Sequence, residues 1–278
     1  MNTISPTTAT RPPPARRLTT ELRWLIAPCL TLVMFAGCWQ AYSMSRDRQD
    51  RWMFPTPGQI TRAGLGDATT RAQLTNALAE TVLISMVGLA IATIIGVTMA
   101  AVMIQSSWLE HALQPIAILL QSTPLPVLAP IFAFWWGYGF TSRCLVCVLI
   151  ALFPIVINTV DGMRAVDGLL HDFLTVHHAS RWTRLWRLQL PAALPNLFTG
   201  ERIAGTNAVI GAVVADAFFR QGPAGLGVWV EVYRENLRID QALAAAATAI
   251  TLGGLVFGLI TLLQLVTVGR WAPRHWNR

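Results

Sequence analysis

From Ala112 to Ser142 the chain carries no charged residue. Three more stretches come close: Ala77 to Ile104, with Glu80 near its start, Cys144 to Val160, and Ala242 to Gly269. About 20 apolar residues in helix cross the hydrocarbon core of a bilayer. Lipid offers no hydrogen-bond partner to irregular backbone, so such runs must close their hydrogen bonds internally. Composition points the same way. The chain is 54% hydrophobic and 13% charged, against about 25% charged in an average soluble domain. The expected fold class is an all-α polytopic membrane protein.

The 278 residues have a net charge of +7, and all 21 basic residues are arginine. The absence of lysine excludes a phosphate-cradling P-loop and Schiff-base chemistry within this chain. Arginine excess in a membrane protein serves orientation and lipid contact. With no RNA- or DNA-binding motif in the sequence, no nucleic-acid partner is expected. Cys29, Cys38, Cys144 and Cys147 all lie in apolar runs, and no second ligand pair accompanies Cys144-x-x-Cys147. They read as lipid-embedded thiols, not metal ligands. No HExxH, GxSxG or paired-carboxylate pattern is present, so neither catalysis nor a cofactor is expected.

Taken in order, residues 1–20 are rich in Thr, Pro and Arg and read as a disordered cytoplasmic tail. Residues 21–44 read as a first membrane helix, an uncleaved anchor, and 45–76 as an external connection. Residues 77–269 form the core, and 270–278 a basic cytoplasmic tail. Within the core, Pro115, Pro124, Pro126 and Pro130 cut the uncharged run. Prolines free backbone carbonyls, which a membrane tolerates only against protein or a wet cavity. Pro124 and Pro126 are therefore candidates for lining a pathway. Ala192 to Phe219 is apolar except for Glu201, Arg202 and Asp216. Counting it as a span gives six, and an even count puts both basic ends in the cytoplasm. Glu201 then lies about 14 Å along that helix, and a charge at such depth is a candidate functional group. Asp216 is expected to face the pathway or its external gate, since a lone carboxylate facing hydrocarbon is too costly. Small-residue stripes at Gly88/Ala92/Gly96 and Gly254/Gly258 predict close helix contacts, here read as contacts with a second copy.

His171 to Pro195 is the longest polar interruption in the second half of the chain. Arg181, Arg184 and Arg187 fall on one helical face, and Trp182, Leu185 and Trp186 on another. Pro191 disfavours helix at Leu190 and is expected to end the run. The segment reads as a short amphipathic helix that either rests on headgroups or docks a cytoplasmic partner.

Ala179-Ser180-Arg181-Trp182 followed by Leu188-Gln189-Leu190-Pro191-Ala192-Ala193-Leu194-Pro195 resembles the coupling loop of ATP-binding-cassette (ABC) importer permeases. The closest branch is the nitrate/sulfonate/taurine group, with its permeases for thiamine-precursor pyrimidines and riboflavin. The resemblance puts Asp172 at the position of the family's Glu, Phe173 and Leu174 at two Ala positions, and His178 where the family has a turn glycine. Ser122-Thr123-Pro124-Leu125-Pro126 and Phe134-Trp135-Trp136-Gly137-Tyr138-Gly139 resemble its third span, and Phe218 to Gly227 its external re-entrant turn. The resemblance covers roughly residues 54–268 and implies a type I importer fold with six spans. Its partners would be a cytoplasmic ABC ATPase dimer, an extracytoplasmic substrate-binding protein and a second permease copy. The coupling loop 165–190 would pass ATPase motion to the helices through Asp172, His178, Ala179, Ser180, Arg181, Trp182, Leu185 and Trp186. Glu201, Arg202 and Asp216 would line the pathway for a small organic solute such as a sulfonate, pyrimidine or flavin. The alternative is an ion-coupled carrier using Glu80, Glu201 and Asp216, against which stands the lack of a repeated half.

Overall fold

A computed structural model describes residues 15–47, 52–122 and 124–269. Residues 1–14 of the expected N-terminal tail and 270–278 of the C-terminal one lie outside the described residues. The chain divides into two units, Met1–Ile60 and Thr61–Arg278.

In the first unit, α1 (Ala15–Ser45) takes in residues 15–20, which the sequence reading left to the tail. Its end holds the following segment: Trp39 Nε1 donates to Pro55 O (3.1 Å) and Ser43 Oγ to Phe54 O (2.5 Å). The Tyr42 ring meets Phe54 edge-on at 5.6 Å.

The second unit begins at the end of α2 (Pro57–Thr61) and opens with a π-helical turn (Arg62–Gly66). Asp67 caps α3 (Ala68–Met103), accepting from the Thr70 hydroxyl and from the Thr70 and Thr69 amides. Those bonds, the Thr70 hydroxyl first, hold the Asp67 carboxyl below its ordinary range. The uncharged, proline-cut run folds as α4 (Ser107–Ser122) and α5 (Leu125–Trp136). Pro115 and Pro130 are accommodated inside these helices, and the break falls at extended Pro124 (ψ 121°). Gly137, at φ 80°, ends α5 in a conformation that suits glycine. Then come α6 (Phe140–Arg164), α7 (Gly168–Val176), α8 (Arg181–Arg184), a π-helical turn (Leu185–Gln189), α9 (Leu190–Phe218), α10 (Leu226–Glu235) and α11 (Ile239–Thr267). Among the described residues, α3, α6 and α11 are long and apolar enough to cross a membrane. The fold is all-helical and multi-pass, as the sequence predicts.

The second unit is built around α6, which packs on α3 along one side and on α9 along another, while α11 covers α9. A methyl group added at Gly88 would strike Cys147, and one at Gly96 would lie 2.8 Å from Ile155 Cγ2. Ala92 between them is fully buried. The Gly88/Ala92/Gly96 stripe is therefore spent on α6 of the same chain, which corrects its reading as a contact with a second copy. Sequence cannot tell these cases apart, because both want small residues four apart. Gly254 and Gly258 have nothing near their missing side chains and face outward. Cys144 and Cys147 are buried in the same core with Ile84, Ile155 and Val209.

At Gly200 a methyl group would come 2.8 Å from Pro154 O on α6. Gly200→Ala is expected to destabilise the chain by about 1–3 kcal/mol through overpacking. The same change at Gly37, inside α1 with nothing within 4 Å of its missing side chain, is expected to be neutral or stabilising by up to about 1 kcal/mol. Thermal unfolding of both variants in one detergent checks this pair.

Candidate functional site

The loop between α6 and α9 folds as two short helices joined by a tight turn. Asp167 Oδ1 caps α7 by accepting from Leu169 N–H (3.0 Å), and Ser180 Oγ caps α8 by accepting from Thr183 N–H (3.2 Å). Between them His178 adopts φ 50°. Ala179 N–H donates to Leu174 O (2.9 Å) and His178 N–H to Thr175 O (3.0 Å). These two bonds define a Schellman turn whose left-handed position glycine would normally fill. His178 thus stands where the resemblance has a glycine and carries the left-handed strain itself. Asp172 lies exposed on α7, Arg181 exposed at the start of α8, and Ala179 half-buried in the turn.

Leu185 departs from expectation. It does not share an apolar face with Trp182 and Trp186: it is 2% exposed, and they are 68% and 65% exposed. Leu185 packs inward with Met103, Val160, Met163 and Ala193 from the ends of α3, α6 and α9. Pro191 does not end the helix either. Leu190 is helical (φ −63°, ψ −48°), and its N–H donates to Leu185 O, five residues back. In a regular α-helix the Pro191 ring would meet the Arg187 carbonyl, four residues back. The wider π turn displaces that carbonyl, so α8 runs through into α9 without a break. Leu169, Phe173 and Val176 of α7, on the other side of the turn, are exposed as well.

Midway along α9, Glu201 Oε1 accepts a hydrogen bond from Thr93 Oγ1 of α3 (2.8 Å). Arg202 does not pair with it: its Nη2 donates to Thr199 Oγ1 (3.1 Å), and its guanidinium lies 5.7 Å from the Phe257 ring centre on α11. Both side chains are half-buried. Pro124 is exposed at the α4–α5 break, and Pro126 lies in the first turn of α5. The predicted pathway residues are therefore spread over three places.

Asp216 is fully buried near the end of α9, 3.2 Å from Arg143 Nη1. Arg143, at the head of α6, is 1% exposed, and the sequence reading passed over it. Its Nε donates to Phe219 O (2.9 Å), Nη1 to Pro223 O (2.9 Å) and Nη2 to Gln221 O (2.8 Å). Asp216 Oδ2 accepts from Gly227 N–H (3.2 Å), and Thr81 Oγ1 of α3 accepts from Leu226 N–H (2.9 Å). The available signal was electrostatic: charges embedded in apolar helices pair with one another, and Arg143 is the cation closest in sequence to the apolar run Cys144 to Val160. Among the described residues no cluster of three or more His, Cys, Asp or Glu could hold a metal ion.

A left-handed non-glycine residue is strained by about 1 kcal/mol. His178→Gly is accordingly expected to fold normally and to slow amide exchange at residues 177–179 severalfold, which exchange mass spectrometry would read.

Residues 92–267, from within α3 to the end of α11, match the model of a family described as binding-protein-dependent transport system inner membrane component. The chain is 31% identical to the formylaminopyrimidine transport permease protein ThiX of Halalkalibacterium halodurans, across 69% of this chain and 75% of that one. It is 36% identical to the riboflavin transport system permease protein RibX of Chloroflexus aurantiacus, across 59% and 60% of the two chains. A putative aliphatic sulfonates transport permease protein, SsuC of Bacillus subtilis, is 30% identical across 56% and 55%. The chain therefore belongs to the binding-protein-dependent transport system inner membrane component family.

Proposed function

We propose that this chain is the membrane-spanning subunit of an ATP-driven importer that moves a small organic solute across the bacterial inner membrane by alternating access. The observation that carries the reading is the α7–α8 tip. Trp182 projects from the short capped helix α8, and Trp186 from the π turn that joins α8 directly to α9. Aromatic residues held rigidly on a surface are what dominate an interface. A cytoplasmic ABC ATPase dimer is their partner, and an extracytoplasmic binding protein delivers the solute. Two permease copies complete the assembly, with Gly254 and Gly258 still free on the outer face of α11. Six spans, α1, α4–α5, α3, α6, α9 and α11, put both termini in the cytoplasm. Glu201 and Arg202 supply polar groups at mid-depth for the pathway, and Pro124 and Pro126 its broken helix. Hydrolysis belongs to the separate ATPase.

The permeases named above serve formylaminopyrimidine, riboflavin and aliphatic sulfonates. Pyrimidines, flavins and sulfonates are the solute classes proposed here, with pyrimidines and flavins favoured. The ion-coupled alternative loses one of its carboxylates, because Asp216 is held by Arg143.

Trp182→Ala and Trp186→Ala are expected to lose the co-purified ATPase, or to retain ATP hydrolysis without transport. Arg184→Ala should do less, since Arg184 is only half-exposed and charges at an interface rim carry less than its aromatic anchors. Leu185→Ala should differ from both, destabilising the chain itself by about 2–5 kcal/mol. Co-purification and solute-stimulated ATP turnover of each variant are the measurements. Full assembly and coupling in both Trp variants would place the tip on the membrane surface and remove the reading.

A further inference from the structure

We infer that Arg143 is a positioning residue for transport: it locks the turn between α9 and α10 onto the head of α6 and the end of α9, so that movement of α9 reaches the external loop as one rigid displacement. The inference rests on the importer reading above. Three observations carry it.

First, α9 is one continuous helix, with Pro195 taken up in its second turn. It is joined without a break to the tip through the π turn, and Leu185 pegs that end. From Leu190 to Phe218 it spans roughly 40 Å.

Second, the turn beyond it has little structure of its own. Among the described residues, no backbone hydrogen bond joins residues 220–224 to one another. Alternate carbonyls, those of Phe219, Gln221 and Pro223, are instead gathered by one guanidinium. Only the planar fork of arginine reaches three acceptors in fixed geometry, and lysine offers a point charge. At the other end of the turn, Asp216 and Thr81 hold the amides of Gly227 and Leu226. A methyl group at either Gly225 or Gly227 would strike Asp216, so the turn has no slack against the clip.

Third, stability alone does not explain the pair. Replacing a buried ion pair by apolar side chains is often neutral or stabilising. Apolar side chains cannot fix three carbonyls in one arrangement, and the clip does.

The test uses the full chain with its co-purified ATPase in lipid vesicles, carrying a nitroxide at Gln221→Cys. Gln221 is exposed, and its side chain takes no part in the clip. Cys29 and Cys38 are replaced by Ser, and Cys144 and Cys147 are buried. Spectra are recorded without nucleotide and with MgATP plus vanadate. With Arg143 present, the label should be immobilised and its spectrum should change with nucleotide. In Arg143→Met its rotational correlation time should shorten severalfold and the nucleotide response should vanish. Arg143→Lys should fall between, keeping the charge contact with Asp216 but not all three carbonyls. A label in Arg143→Met that stays immobilised and answers to nucleotide overturns the inference. So does loss of the monodisperse complex in both variants, which would assign the clip to folding alone. A wild-type complex whose ATPase binds nucleotide while the label stays blind to it also removes the inference, without touching the importer reading. A wild-type complex with no ATPase at all removes the importer reading first, and this inference with it.

Discussion

Inside lipid, apolar side chains gain nothing by leaving one helix surface for another, so a helical bundle must be held by close packing and interhelical hydrogen bonds. In this chain α6 meets that constraint from both sides. Gly88 and Gly96 let α3 approach one flank, and Gly200 lets α9 approach the other, each with no room for a methyl group. Hydrogen bonds then set the register. Thr93 bonds Glu201 across α3 and α9, and Tyr233 OH donates to Gln73 Oε1 (2.6 Å) between α10 and α3. The tip at one end of α9 and the Arg143 clip at the other are both positioned by this packing.

The two ends of α9 are built differently because they meet different surroundings. At the tip, capped helices and a Schellman turn satisfy the backbone locally, which frees the side chains of Trp182, Trp186 and Phe173 to face outward. At the far end the backbone of 219–223 is satisfied by a side chain reaching from another helix. A locally closed turn holds its shape wherever α9 carries it. A turn closed through Arg143 keeps its shape only while α6 and α9 stay together.

The sequence disclosed whatever depends on chemistry along the chain. Long apolar runs became α3, α6 and α11, and the proline-rich run broke at Pro124. His178 at a glycine position proved to be a left-handed residue, while Asp216, expected at the pathway or its external gate, lies buried against Arg143. What stayed hidden depends on the partner that a residue meets. Gly88, Ala92 and Gly96 suit a contact within the chain as well as one between copies. Arg143 sits next to an apolar run as any flanking arginine does, and only the fold brings it to Asp216 and to carbonyls some 80 residues away. Pro191 looked like a stop because the rule assumes α geometry before it.

The π turn at Leu185–Gln189 does more than admit Pro191. In an uninterrupted α-helix, Trp182, Leu185 and Trp186 fall within one arc of the surface, so an element rotated to bury Leu185 would draw the tryptophans towards the core. Here Leu185 is sealed among the ends of α3, α6 and α9 while both tryptophans stay more than half exposed. The widened turn starts at Leu185 itself, where inward and outward roles divide. An anchor and a contact surface can then occupy neighbouring residues of one helix, with no flexible linker between them. That is the arrangement the proposed lever would need at the end where an ATPase would act on it. A hinge placed between Trp186 and α9 would let the tip follow the proposed partner while α9 stayed still.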